Sequence, residues 1–129
     1  INKMLQTDPQ NLNLLLAKAS MAAIIQDIET EIETLKKIIK INPITNVKSL
    51  LAQAYLRKND GIVNEFIKKL IDEVLFEKPK DPGANFILAK YLNQNGNKNK
   101  SRNLLLKILK NLDDKGPWHQ IYKDELNIK

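Results

Sequence analysis

Apolar residues recur along most of the chain at intervals of three and four residues, which is the spacing of one face of an α-helix. One such stretch contains Ile28, Ile32, Leu35, Ile38 and Ile39. A second stretch, 63–75, repeats the same spacing, and no stretch alternates apolar and polar residues for long enough to predict a β-strand. The sequence therefore predicts an all-α fold.

The helical stretches also repeat at a longer interval. Three alanines lie 35 residues apart, and two further columns align with them: an apolar column three residues earlier and a turn column seven residues later. The three columns are Ala19, Ala54 and Ala89; Leu16, Leu51 and Phe86; and Gln26, Gly61 and Gly96. Pro9, Pro43 and Pro79 follow at spacings of 34 and 36 residues. This spacing predicts three helix-turn-helix repeats at about 11–43, 45–79 and 81–112.

Each recurring residue type has a physical reason. An alanine lets two antiparallel helices cross closely, because a larger side chain would hold their backbones apart. A glycine after the first helix permits the left-handed backbone that ends a helix at low cost. A proline after the second helix stops it, since proline lacks an amide hydrogen. We therefore expect first helices at about Asn11–Ile25, Thr45–Arg57 and Pro82–Leu92.

The last segment predicts one more helix. Gly116 interrupts the pattern, Pro117 is suited to a first helical turn, and one apolar stripe follows. The stripe consists of Trp118, Ile121, Tyr122 and Leu126. A lone helical pair cannot bury both of its apolar faces, so the pairs should stack and this helix, about 117–127, should cap the stack, with Trp118 as a core anchor. We expect a single domain over 1–129, an α-solenoid of three repeats with a C-terminal capping helix.

The formal net charge of +6 is concentrated near the C-terminus. One segment without an acidic residue carries Lys98, Lys100, Arg102, Lys107 and Lys110. Leucines and isoleucines alternate with these cations, which favours the solvated face of an amphipathic helix. Nucleic-acid binding is the alternative interpretation, but aromatic residues make up only 5% of the chain and are not interleaved with the basic ones, so no nucleic-acid partner is expected.

Candidate chemistry for catalysis or metal binding is sparse. The chain has a single His, His119, and neither a Cys nor a second His to complete a zinc site with it. Asp113 and Asp114 are only an adjacent acidic pair in an expected loop, and the four glycines are scattered rather than grouped in a phosphate-binding loop. We expect no enzymatic activity and no cofactor, and we interpret His119 as a partly exposed residue of the cap.

The repeating unit resembles the tetratricopeptide repeat (TPR), a helix-turn-helix unit with a small residue in the first helix, a turn glycine and a closing proline. The resemblance covers nearly the whole chain and is good at the three alanines, the two glycines and the three prolines. It is weak at Gln26, which replaces the turn glycine, and at Glu31 and Ser101, where the second helix normally has alanine. The first repeat in particular is therefore expected to pack irregularly.

Three motifs also resemble the C-terminal repeat domain of the CcmI/CycH family of cytochrome c biogenesis factors. They are NDGIVNEF, EKPKDPGANFILAKYLNQNG and KGPWHQIYKDEL, with a doubled proline at Pro79 and Pro82 and a Pro-Trp at Pro117 and Trp118. The resemblance implies a periplasmic chaperone domain of an inner-membrane protein. That domain would hold apocytochrome c, chiefly by the client's C-terminal helix, and present it to the haem-ligation machinery.

Membrane attachment would depend on helices outside this sequence. The longest apolar runs fall far short of the roughly 20 residues that cross a bilayer. No signal-peptide pattern is present, and a chain that begins with Ile1 is expected to be a fragment of a longer protein. A generic TPR scaffold that docks folded partners is the alternative, and it would fit a cytoplasmic location.

In such a stack the first helices line the concave side and supply the binding groove. Counting from the alanines, the outward positions are Asn13, Ser20, Ala23 and Ile24; Lys48, Tyr55, Lys58 and Asn59; and Gly83, Lys90, Asn93 and Gln94. Leu16, Leu51 and Phe86 are expected to form an apolar floor that suits an amphipathic client helix. The three lysines are expected to pair with client carboxylates. A clamp for acidic tails is disfavoured, since Ala17, Ala52 and Ile87 stand where it needs asparagine.

Overall fold

The computed structural model describes residues 11–127, and all of the regular secondary structure within them is helical. The helices are α1 (Leu12–Ile24), α2 (Ile28–Ile41), α3 (Thr45–Lys58), α4 (Glu65–Glu77), α5 (Pro82–Gln94), α6 (Lys98–Leu109) and α7 (Pro117–Leu126). The all-α prediction is confirmed for this part of the chain. Pro9, the first of the three prolines in the predicted spacing, lies outside the described residues.

Short polar side chains begin four of these helices. Asn11, Asp27, Asn64 and Asp81 each accept a hydrogen bond from a backbone N–H in the first turn of α1, α2, α4 and α5, respectively. These bonds satisfy amides that have no partner within the helix. Proline is the first residue of both α5 and α7, as predicted.

The helix ends also follow the predicted chemistry. Gly61 and Gly96 have φ angles of 81° and 85°, in the left-handed region, and lie just beyond α3 and α5. Gln26 lies two residues beyond α1, as Asp60 does beyond α3 and Gly96 beyond α5, and Gln26 and Asp60 are also left-handed, with φ angles of 62° and 55°. Gln26 and Asp60 therefore adopt the left-handed backbone without a glycine, at a cost in backbone strain. Pro43 and Pro79 follow the ends of α2 and α4.

Each helix packs on the next one along the chain, and α5 also packs on both α3 and α7. Ala19, Ala54 and Ala89 are all buried. The Ser101 hydroxyl on α6 donates a 2.7 Å hydrogen bond to the Ala89 carbonyl on α5, so these two helices approach closely at the alanine. Ser49 on α3 donates a 2.8 Å hydrogen bond to Asp81, the residue that caps α5.

The buried apolar residues form two clusters. The larger cluster joins α1 to α5 and includes Leu35, Ile38, Ile67, Ile71 and Val74. The smaller cluster joins α5, α6 and α7 through Ala89, Leu105, Ile108, Tyr122 and Leu126. The last helix, α7, contacts both α5 and α6.

Two features differ from a strict repeat. Helix α4 begins at Glu65, two residues later than a 35-residue spacing from α2 would place it, because residues 59–64 form a longer connection. In addition, α1 stands apart from α3: no Cα atom of α1 lies within 8 Å of a Cα atom of α3, whereas α3 and α5 do approach within that distance. The first-helix side of the array is therefore open between α1 and α3.

Candidate functional site

The predicted groove positions lie on α1, α3 and α5 or in the turns that follow them, and the structure gives them unequal exposure. Asn13, Ser20, Ile24, Lys58, Asn93 and Gln94 are exposed, whereas Leu16, Ala23, Lys48, Tyr55, Asn59, Phe86 and Lys90 are half-buried. Leu51 is buried, with 5% of its surface accessible, and packs in the larger cluster. Leu51 is therefore a core residue, and it offers little surface to a bound chain.

The groove positions on α5 are occupied by contacts with neighbouring elements. The Phe86 ring packs against the rings of Trp118 and Tyr122 on α7, each at a centroid distance of 5.7 Å. The Lys90 ammonium pairs with Glu125 of α7 at 3.0 Å and lies over the Phe86 ring. Lys90 is consequently held by the capping helix, in contrast to the expectation that it would be free to pair with a client carboxylate.

Gln94 links α5 to the turn after α3. Its side-chain oxygen accepts a hydrogen bond from the Val63 amide at 2.9 Å, and its side-chain nitrogen donates to the Gly61 carbonyl at 2.8 Å. Both polar atoms of the amide are therefore engaged within the molecule. The backbone of the connection 59–64 would otherwise depend on solvent for these two hydrogen bonds. Gln94 therefore fixes the connection after α3 to the end of α5.

The groove positions at the C-terminal end of α3 also have internal partners. Lys58 pairs with Glu29 of α2 at 2.9 Å, and the Asn59 side chain donates to the Ile62 carbonyl at 2.7 Å. The Tyr55 ring contacts the Phe66 ring edge-on at a centroid distance of 5.0 Å. The ion pair between Lys58 and Glu29 is exposed and contributes at most about 1 kcal/mol to stability. A client carboxylate could therefore compete with Glu29 for Lys58.

Lys48 lies two turns before Tyr55 on the same side of α3, and both residues border α4. Lys48 borders an open depression of about 400 Å³ between α3 and α4, which is lined by Lys48, Lys69, Asp72, Glu73, Phe76 and Glu77. Glu77 also accepts a hydrogen bond from Thr45. Phe76 is 88% exposed, so the depression combines an accessible aromatic ring with charges of both signs.

The prediction that Gly83 faces outward is wrong. Gly83 is buried where α5 crosses α3, and a Cβ atom placed on it would lie 2.4 Å from Nε2 of Gln53 and 3.0 Å from Oγ of Ser49. The two helices approach so closely here that this position belongs to their interface. The sequence-based count gave every first helix the same surroundings. In the structure α5 packs closely on α3, whereas α3 has no such contact with α1.

The groove positions on α1 border an accessible apolar surface. Ser20 lies at the mouth of a cleft of about 90 Å³, and Ile24, one turn further along α1, is 79% exposed. The cleft is lined by Leu16, Ala19, Ser20, Ala23, Glu31, Leu35 and Leu50. It occupies the space that the separation of α1 from α3 leaves open, and it combines residues from α1, α2 and α3.

Sequence reasoning missed two contributors to this cleft. Leu50 is 43% exposed and forms the α3 wall, and the sequence analysis did not single it out. Glu31 forms part of the floor and is only 5% exposed. Its occurrence at a position where alanine is typical was the one signal in the sequence, and it pointed to irregular packing of the first repeat rather than to a cleft.

The basic segment lies on α6 and its C-terminal end. Lys98, Lys100, Arg102, Lys107 and Lys110 are all exposed, opposite the buried Ser101, Leu105 and Ile108. Arg102 donates to the Leu126 carbonyl at 3.4 Å. This arrangement is the amphipathic helix that the spacing predicted. Within residues 11–127, no group of three or more His, Asp or Glu side chains is arranged to hold a metal ion.

None of the helices in the described part of the chain is long and apolar enough to span a bilayer. Comparison with known proteins finds no family model, curated protein or solved structure that matches the chain.

Proposed function

We propose that the helices form a TPR-like solenoid of three pairs, α1 with α2, α3 with α4 and α5 with α6, closed by α7. The pairwise packing of consecutive helices, the additional packing of α3 on α5, and the left-handed residues at the same place in each pair support this arrangement. In a solenoid of this kind the first helices lie on the inner side. The surface of α1, α3 and α5 is then the natural place for an extended or helical client.

The function that this geometry supports best is the holding of a polypeptide client. The observation that carries the proposal is the open cleft between α1 and α3, with the exposed apolar side chains of Ile24 and Leu50 beside it. Exposed apolar surface of this kind is typical of sites that bind another chain. A client helix could place one apolar side chain between the two helices, and burial of such a side chain contributes about 1.5–3 kcal/mol.

The client that we propose is apocytochrome c, bound through its C-terminal helix and held for haem attachment. This assignment comes from the resemblance of the three motifs to the CcmI/CycH family. On this proposal the domain lies in the periplasm, is joined to the membrane by helices outside this sequence, and works beside the haem-ligation machinery. It acts as a chaperone without a cofactor of its own.

The test measures binding of the purified chain to three probes: apocytochrome c, haem-loaded cytochrome c, and a fluorescent peptide of the client's C-terminal helix. We expect the apo form and the peptide to bind, and the haem-loaded form to bind more weakly, because its C-terminal helix is packed in its own fold. Equal binding of all three, or binding of none, would reject the apocytochrome assignment.

Two matched variants place the client on the molecule. The double change Ile24→Ser and Leu50→Ser removes apolar surface beside the cleft and should weaken peptide binding by about tenfold or more. Phe76→Ser removes a comparably exposed apolar side chain on α4 and should leave peptide affinity unchanged. If Phe76→Ser weakens binding as much as the double change, the client does not bind to the surface of α1, α3 and α5.

A second candidate is a scaffold that docks a folded partner. The observation that favours it is the depression between α3 and α4, where an exposed phenylalanine is surrounded by charges of both signs. Such mixed surfaces are typical of protein interfaces, in which an aromatic anchor lies within a polar rim. Under this alternative, Lys48→Glu combined with Phe76→Ser would remove haem-ligation subunits from pull-downs and leave client-peptide affinity unchanged.

A further inference from the structure

The cleft between α1 and α3 has a mouth and a floor of different chemistry. Ser20 and Leu50 lie at the exposed mouth, and the walls are contributed by Leu16, Ala19 and Ala23. The floor is formed by Glu31 and Leu35 of α2, which are 5% and 1% exposed. The cleft is therefore apolar along its walls and carries one buried acidic side chain at its base.

The Glu31 carboxylate is only half satisfied. Its Oε2 atom pairs with Nη2 of Arg57 at 2.6 Å. Its Oε1 atom is buried and makes no hydrogen bond with any of the residues that the structure describes. A buried polar atom without a partner costs roughly 1–3 kcal/mol, so Oε1 is an unfilled acceptor on a residue that lines the cleft.

We propose that the cleft is a pocket for a lysine side chain of a bound polypeptide, with the ammonium group donating to Oε1 of Glu31. A carboxylate oxygen can only accept hydrogen bonds, so the group that satisfies it must be a donor. The apolar walls suit the methylene groups of an unbranched chain. The volume of about 90 Å³ is several times the roughly 10–15 Å³ that one water requires, so it has room for a chain of several heavy atoms.

Lysine fits this acceptor better than arginine does. An arginine fork is matched to two acceptor oxygens, and Arg57 already holds the second oxygen of Glu31. A compact ammonium group needs only one oxygen here and adds positive charge next to a carboxylate. The lysine would belong to the client described above, and in that respect the inference rests on the proposed function.

The pocket is tested with n-butylammonium, which reproduces the end of a lysine side chain without a peptide. Binding is followed by NMR through the methyl signals of Ala19, Ala23, Leu35 and Leu50. We expect saturable shifts with n-butylammonium and at least about tenfold weaker binding of butyltrimethylammonium, which keeps the charge and lacks an N–H donor. Equal responses to the two ions, or no response to either, would overturn the proposal.

Variants of the chain identify the acceptor. Glu31→Gln should weaken n-butylammonium binding at least about tenfold, while Glu33→Gln, an exposed change on the same helix, should not. Ser20→Tyr blocks the mouth and leaves the Glu31–Arg57 pair in place, so it provides the same test if Glu31→Gln does not fold. Undiminished binding in Ser20→Tyr, or in a folded Glu31→Gln variant, would overturn the proposal.

The two proposals fail in different ways. If n-butylammonium does not bind but the apocytochrome peptide does, the lysine pocket is wrong and the client-holding function stands. If n-butylammonium binds as expected and no client peptide does, the pocket stands and the proposed function is wrong. In client peptides, replacement of each lysine in turn by norleucine should then reveal one position whose loss weakens binding in the wild type and has no further effect in Glu31→Gln.

Discussion

Tyr122 is the clearest case of a single residue joining two elements. It is fully buried on α7, and its hydroxyl donates a 2.6 Å hydrogen bond to the Pro82 carbonyl at the start of α5. Burial raises the pKa of Tyr122 well above its ordinary value of about 10, and the negative charge of Asp81 acts in the same direction. The phenol is therefore held in its neutral form in the folded protein.

This raised pKa predicts a loss of stability in alkali. The contribution is fully present below pH of about 10, the pKa of an unfolded tyrosine, and is lost as the pH rises toward the folded pKa, with a slope of up to about 1.4 kcal/mol per pH unit. Urea unfolding at a series of pH values measures it. Lysines titrate in the same range, so the comparison must be made with Tyr122→Phe.

Tyr122→Phe should lower the free energy of unfolding at neutral pH by about 0.5–1.5 kcal/mol, because one hydrogen bond is lost. Its stability should also decline less steeply than that of the wild type above pH of about 10. Parallel pH curves for the two proteins would show that Tyr122 does not ionise on unfolding in the expected way.

The sequence could not predict which residues of the same chain the groove side chains contact. Exposure of Asn13, Ser20 and Ile24 follows from helical spacing, which is a local property. The partners of Lys58, Lys90 and Gln94 lie about 30 residues away along the chain, and only the packing of the helices brings them together. Spacing identifies which side chains point outward from a helix, and it does not identify what another helix places in front of them.

At the scale of the element, helix positions were largely predictable. The three first helices begin and end within two residues of the predicted bounds, because polar caps, prolines and left-handed residues act locally. The later start of α4 and the separation of α1 from α3 were not predicted. The connection 59–64 can have more than one length without breaking the apolar spacing, and the distance between two helices depends on everything that packs around them.

The ends of α1 and α3 give a reciprocal prediction. Gln26 and Gly61 share a left-handed backbone, which costs a residue with a side chain roughly 1 kcal/mol relative to glycine. Gln26→Gly should therefore raise the free energy of unfolding by about that amount, and Gly61→Ala should lower it by a similar amount. A Cβ atom at Gly61 would meet no other atom within 4 Å, so the loss would come from the backbone alone.

Gln26→Ala is the matched control, since it removes the same side chain and leaves the strained backbone unrelieved. Chemical denaturation of the four proteins provides the comparison. A gain in Gln26→Ala as large as that in Gln26→Gly would mean that the side chain, and not the left-handed conformation, is responsible.

At the scale of the whole molecule, the division of the core into two clusters is the dominant feature. The larger cluster holds α1 to α5 together, and the smaller one fastens α6 and α7 to α5. In the proposed arrangement of stacked helical pairs, stability is approximately a sum over neighbouring units, and parts of the array can open separately. The C-terminal part of this molecule is therefore expected to open at a lower free energy than α2 to α4.

Native-state hydrogen exchange of Leu126→Ala tests this independence. Leu126 is buried in the smaller cluster, so its truncation should lower the opening free energy of amides in α6 and α7 by about 2–4 kcal/mol. Amides in α2 and α3 should change little. Ile121→Ala, at a partly exposed position on the same helix, should have a much smaller effect. An equal loss of protection in all helices would show that the molecule unfolds as one unit.

The hydrogen bond from Ser49 to Asp81 has a consequence for folding during translation. Asp81 starts α5, and the hydroxyl that positions it comes from a helix made about 30 residues earlier. During translation, α3 has already left the ribosome when Asp81 emerges, so the nascent segment meets a ready partner. Tyr122 later meets Pro82 in the same way. These two hydrogen bonds can therefore form in the order in which the chain is synthesised. Each new segment can pack on the one made before it.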